Sequence, residues 1–198
     1  MTSALSPTRD EAIALTRKWL ERAVIGLNLC PFAKSVHVKQ QVRYVVSDAT
    51  DSDALLAELE RELQYLAAVP PEETDTILLI HPYVLQDFDD FTDFLDLVDV
   101  VVRTQGLAGN LQVANFHPDY CFSDAEPDDI GNHTNRSPYP TLHLIREASI
   151  DRAVAAFPDA SQIYERNIET LERMGIEGWQ ALDVDAPKPT KVPTQEQT

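Results

Sequence analysis

Three histidines from distant parts of the chain are the residues best suited to chemistry. His81 and His117 each stand directly before a proline, in the pairs His81-Pro82 and His117-Pro118, and His143 follows in the same polar region as His117. Neutral imidazole moves protons near physiological pH and ligates metals, so His117 or His81 would serve as general acid or base. With Asp119 or Asp128, the rings of His81, His117 and His143 would also make a mixed nitrogen and oxygen set for a divalent metal. A plainer reading stands beside both. Proline has no amide N–H and ends a strand ladder, and the histidine before it then hydrogen-bonds at the strand end. No HExxH, paired CxxC or EF-hand spacing accompanies these residues.

The segment TNRSPYP, from Thr134 to Pro140, carries the second constellation. Arg136 offers a planar fork for a carboxylate or phosphate, and Asn132, Asn135, Ser137 and Tyr139 add neutral hydrogen-bonding groups, a set suited to a small anionic molecule. Alternatively, Arg136 clamps its own loop by pairing with Asp128 or Asp129, and the prolines stiffen it. Cys30 also divides. At the end of a first helix it would be an inert, structural thiol; as the cap of a new helical segment, with Pro31 and Lys34 beside it, it would be acidic and reactive. Cys121, between Tyr120 and Phe122, reads as small apolar packing. Asp89, Asp93 and Asp96 have ligand-like spacing but read as a solvated helix face. There is no phosphate-binding glycine loop and no nucleophile elbow.

Hydrophobic periodicity supplies the elements that must position these residues. A helix is expected from Pro7 to about Leu29, with Ile13, Leu20, Val24 and Leu27 on one stripe, followed by a short strand from Val42 to Val46. A helix capped at Asp51 or Ser52 buries Leu55, Leu59, Leu63 and Leu66 and ends at Pro70-Pro71. The run Thr76–Ile80 is a strand buried on both faces and stops at His81-Pro82. A helix from about Asp87 then turns Phe88, Phe91, Leu95, Val98 and Val102 inward, and a third strand, Leu111–Phe116, stops at His117-Pro118. A long polar loop leads to a fourth strand, Thr141–Arg146. Helices capped by Ser149 and Ser161 run to about Phe157 and Met174, and Gly175 ends the last.

These elements predict one α/β domain over residues 7–183, between a loose arm at 1–6 and a disordered tail at 184–198. The alternation of strands and helices predicts a mainly parallel four-stranded sheet with helices packed on it. Parallel strands end on one edge, so His81 and His117 share it, and a fourth strand antiparallel to the third would start His143 there too.

Composition narrows the partners. Against 33 acidic residues stand 16 Lys and Arg, a net charge of −17, which repels nucleic acid and anionic lipid. No apolar run nears the roughly 18 residues of a membrane span, and no secretory leader is legible, so a cytoplasmic location is expected. Two cysteines do not make a disulfide framework. Nothing in the sequence sets an oligomeric state.

The strings WLERAVIGLNLCPFA from Trp19, ILLIHPYVLQDFDDFTDFLD from Ile77, NFHPDYCF from Asn115, NRSPYPTLHLIREASIDRA from Asn135 and ERNIETLERMG from Glu165 follow in order over nearly the whole chain. In these stretches the chain resembles the domain of unknown function 1415 family of bacterial and plant proteins. The resemblance implies one compact domain and brings no activity, cofactor or catalytic residue with it.

Two functions follow from the residues. One is an enzyme acting on a small anionic metabolite, with a histidine acid or base or a histidine-bound metal; the other is a non-catalytic module that binds a ligand or a protein. They part on geometry. The enzyme requires an open pocket containing at least two of His81, His117, His143 and Arg136, and sealing those side chains against apolar neighbours removes it.

Overall fold

The computed structural model describes residues 6–156 and 162–187. Within it, α1 (Arg9–Trp19) starts at Thr8, whose side chain and that of Glu11 form a reciprocal capping box, so Pro7 lies before the cap rather than in the first turn. The helix does not simply stop. It widens into a π-helical segment, Leu20–Ile25, and leads to a short α2 (Ala33–Val38). The other elements are β1 (Val42–Val46), α3 (Ser52–Ala68), β2 (Thr76–Ile80), α4 (Phe88–Thr104), β3 (Leu111–Phe116), a 3-10 turn (Ile130–Thr134), β4 (Thr141–Arg146), α5 (Glu147–Ala156) and α6 (Ile163–Ala181).

The four strands form one mixed sheet in the order β1-β2-β4-β3. β1 and β2 pair parallel, while β4 runs antiparallel to both β2 and β3. This corrects the mainly parallel sheet: β1, β2 and β3 point the same way, but only one pair is parallel because β4 returns from the edge where β3 ends and inserts between β2 and β3. Strand periodicity is blind to that insertion, since a strand looks the same in either direction.

One face of the sheet packs against α3 and α4. Leu55, Leu59, Leu63 and Leu66 from α3 and Phe91, Phe94, Val98 and Val101 from α4 meet Ile77, Leu79, Leu142 and Leu144 in the main core. α4 also buries Phe94, while Asp89, Asp93 and Asp96 are exposed as expected of its solvent face. α1 lies against the other face, where Ala12 meets Val46, Ile80 and Tyr139, and Trp19 stands edge-on to Phe116 at 5.1 Å. A further cluster joins Trp19, Leu20, Ala23 and Val24 to Leu171, Trp179 and Val184.

The last elements depart from the sequence expectation. α5 follows β4 without a gap, and Ser149 does not cap it but donates to Asp75 at 2.7 Å. Phe157 and Ser161 lie outside the described residues. Gly175 interrupts α6 with φ 68° and ψ 174°, yet the chain resumes helical geometry to Ala181, because burying Trp179 there outweighs a single break. Packing also continues past Asp183: Val184 is 1% exposed, and Asp185 accepts from Trp179 Nε1 at 3.1 Å. Among the described residues no helix is long and apolar enough to cross a membrane.

Candidate functional site

β2 and β3 end on the same sheet edge and deliver His81 and His117 to one spot. Both rings pack on Phe91, at 5.5 and 5.3 Å between centroids. Both also hold one turn, residues 82–86, which connects β2 to α4 with Leu85 at φ 55°. His117 Nε2 donates to the Leu85 carbonyl at 3.3 Å, and its Nδ1 accepts from the Asp119 amide at 3.0 Å, so the ring is neutral and spent at both nitrogens. His81 Nδ1 donates to the Val84 carbonyl at 3.1 Å, a carbonyl that Gln86 Nε2 also reaches at 3.2 Å.

That leaves His81 Nε2 as a buried lone pair with no partner. Both histidines are 0% exposed. Burial pushes His81 down to about 4, against the pull of its bond to Val84, and lowers His117 in the same way against the Leu85 carbonyl and the Asp119 and Asp87 charges. The predicted meeting of His81 and His117 is present, but it is sealed under a turn and against Phe91 instead of opening into a pocket.

His143 does not join them. It pairs with Leu78 and Ala114 in the middle of β4, not at the strand's start, and it projects to the face opposite Leu142 and Leu144. There its Nε2 donates to Thr76 Oγ1 at 2.7 Å, while the Thr76 hydroxyl donates to the Leu144 carbonyl. Burial lowers this ring to about 4 as well. Among the described residues, no three His, Cys, Asp or Glu side chains gather in a way that would hold a metal ion. The proposed set of His81, His117 and His143 is split by the sheet itself.

The anion-binding set of the long loop is turned inward. Arg136 clamps the loop, though through carbonyls rather than the expected Asp128 or Asp129: Nε donates to Tyr120 at 3.0 Å and Nη2 to Pro127 at 2.7 Å. Asn132 accepts from the Phe122 amide at 3.0 Å and donates to the Glu126 carbonyl at 2.8 Å. Ser137 Oγ donates to the Tyr139 carbonyl at 2.7 Å, the Tyr139 ring is buried against Ala12 and Ile80, and the Asn135 side chain bonds Tyr120. A loop folded onto a domain must satisfy its own backbone, and these side chains do that. Trp19 Nε1 completes the tie by donating to the Arg136 carbonyl at 2.9 Å.

Cys30 combines its two readings. It precedes α2 and its thiol meets the Phe32 and Ala33 amides, as a cap would, but burial outweighs them and pushes the thiol up. It packs against the cluster of Trp19 and Trp179.

An open concavity lies elsewhere. A groove of about 220 Å³ separates the chain after the π-helical segment from α6, and is lined by Leu27, Asn28, Pro31, Arg166, Thr170 and Arg173, among others. Its loop wall is fixed. Val24 accepts from the amides of Leu29 at 2.9 Å and Cys30 at 3.4 Å, Asn28 takes φ 56°, and buried Asn167 donates to the Leu29 carbonyl at 2.9 Å. Sequence reasoning missed this site. Arg166, Thr170 and Arg173 share one helix face, but with Glu169 and Glu172 between them and Glu165 just before them the pattern reads as a solvated surface. A broader depression of about 390 Å³ between the ends of α3 and α4 is lined by Gln64, Ala67, Ala68, Gln105 and Leu107 and offers no charge.

The model of a family described as protein of unknown function (DUF1415) matches residues 11–181. No curated protein and no solved structure matches the chain.

Proposed function

Because the chain belongs to the DUF1415 family, whose function is unknown, the reading must rest on geometry, and we propose that the protein is a non-catalytic module that binds a small anion in the groove between Leu27–Pro31 and α6. One observation carries it: in a chain of net charge −17, two arginines, Arg166 and Arg173, line the same small concavity against one carboxylate, Glu169. Guanidinium is the side chain best matched to carboxylate or phosphate oxygens. The sealed histidines and the inward Arg136 support binding here over chemistry at the sheet edge.

Thermal denaturation of the full chain with small carboxylates and phosphate tests the reading. A ligand at a hundred times its Kd stabilises by about 2.7 kcal/mol. Stabilisation is expected to vanish in the double variant Arg166→Ala/Arg173→Ala and to survive in Arg136→Ala. No stabilisation by any anion, or stabilisation indifferent to both arginines, overturns it.

A catalytic reading keeps one specific observation, the unpartnered Nε2 of His81 with its tautomer fixed by Val84. It requires the turn at 82–86 to lift. Acylation of His81 by diethylpyrocarbonate at neutral pH, at a rate near that of a free imidazole, is the result it demands.

A further inference from the structure

We infer that the free edge of β3 docks a second copy of this chain, joining the two four-stranded sheets about a two-fold axis at Ala114. β3 is a terminal strand and pairs only with β4. The phase of that pairing fixes which backbone groups face outward. Glu147 donates to the Asn110 carbonyl at 2.9 Å, which makes residues 110 and 147 a hydrogen-bonded pair one step beyond Leu111 and Arg146. Such pairs recur at every second residue of an antiparallel ladder, so Gln112, Ala114 and Phe116 turn their N–H and C=O groups to β4. Leu111, Val113 and Asn115 turn theirs away. The Leu111 N–H is taken by the Leu107 carbonyl at 2.9 Å, and at the far end the His117 N–H is taken by Asn135 at 3.3 Å. The N–H and C=O of Val113 and of Asn115 have no partner among the described residues.

An open strand edge is ordinarily guarded by a charge, a proline, a bulge or a covering segment. β3 has none of the first three: LQVANF is uncharged and pairs with β4 residue for residue, whereas β1, at the other side of the sheet, carries Arg43. Val113, Ala114 and Asn115 are half-buried and Gln112 is exposed, so the edge is reachable. It is also complementary to itself. The antiparallel register that sets Val113 opposite Asn115 of the second copy pairs all four free groups of each chain, and Ala114 then meets its own equivalent as a non-hydrogen-bonded pair about 4.5 Å apart. A small side chain suits that approach. Leu111 and His117 come opposite each other with their N–H groups already bonded, so the new ladder stops there. Its side-chain pairs, Val113 with Asn115 and Gln112 with Phe116, contain no charge, and Asp119 is brought level with Gly109 of the second copy. In a chain of net charge −17, a neutral ladder lets two copies meet without opposing carboxylates.

Sedimentation velocity on the full chain between about 5 and 200 µM, in about 0.3 M salt to screen the net charge, reads the assembly. A reversible dimer is expected. Ala114→Lys sets two ammonium groups face to face at the axis, and Asn115→Pro removes an outward N–H while leaving the bonds to β4 in place; each should weaken the dimer about tenfold or more. Amide exchange in the same samples gives a readout that a merely loosened fold would not imitate. With rising concentration the Val113 and Asn115 amides should slow, while those of Gln112 and Ala114, bonded to β4 in either state, should not change. A chain that stays monomeric at the highest concentration overturns the inference and leaves the edge to a strand of another protein. A dimer that survives both substitutions, or that leaves the Val113 and Asn115 amides unprotected, overturns it as well, because the contact then lies elsewhere.

Discussion

His81 should make the stability of this protein depend on pH between neutrality and about pH 4. In the folded chain its value is pushed down to about 4 by burial, against an ordinary 6.5. The unfolded chain therefore takes up a proton that the folded chain refuses, and stability falls as pH drops below 6.5, levelling off once the folded value is passed. A gap of that size is worth about 3 kcal/mol in full, of which about 2 kcal/mol is lost between pH 7 and pH 5. The perturbation is His81→Asn, which keeps a donor near the Val84 carbonyl and removes the titration. Urea denaturation of both proteins at pH 7, 6, 5 and 4.5 reads the effect. With a slope of about 2 kcal/mol per molar urea for a domain of this size, the wild-type midpoint should fall by about 1 M more than the variant's from pH 7 to 5. The 33 acidic residues titrate alike in both, so only the difference between the curves matters. Parallel curves would refute the argument, because they would mean that His81 meets water in the native state and is not held neutral.

Other changes follow from the same contacts. Arg136→Ala removes the bonds to Tyr120 and Pro127 and should cost about 2–3 kcal/mol in chemical denaturation, with the loop 119–140 exchanging its amides faster; an unchanged midpoint would show that the clamp carries no stability. Gly175→Ala forces a side chain into φ 68°, and should destabilise by about 1 kcal/mol, whereas a gain would mean that α6 runs straight through that position. Cys30 should label slowly with a disulfide reagent at pH 8 in the native chain and fast in urea, since burial raises its thiol; rapid native labelling would place it on the surface.

Local rules carried the bounds of the four strands and of α3 and α4. The leucine stripe of α3 lies wholly in the core, Asp51 and Asp87 cap α3 and α4 through their own side chains, and β2 is buried at every residue, because cap chemistry and short-range periodicity are properties of neighbouring residues. The edge shared by His81 and His117 was also legible, since both strands end at a His-Pro pair and both point the same way. What the sequence could not express was the use of those residues. Whether an imidazole nitrogen faces a ligand or a carbonyl depends on the turn that folds over it, and Val84 and Leu85 close that space.

The inward turn of Arg136, the separation of His143 from the other two rings and the groove at Arg166 and Arg173 share that cause. Each depends on which distant segment packs alongside: Tyr120 and Pro127 under Arg136, Thr76 under His143, and the loop after the π-helical segment beside α6. The amino-acid order determined the strands, α3 and α4 with their caps at Asp51 and Asp87, and the acidic charge, all of which arise from residues a few positions apart. The insertion of β4 between β2 and β3, and with it the division between sealed and open polar residues, was decided only when the chain packed, because strand order and burial are set by contacts between segments that the sequence leaves far apart.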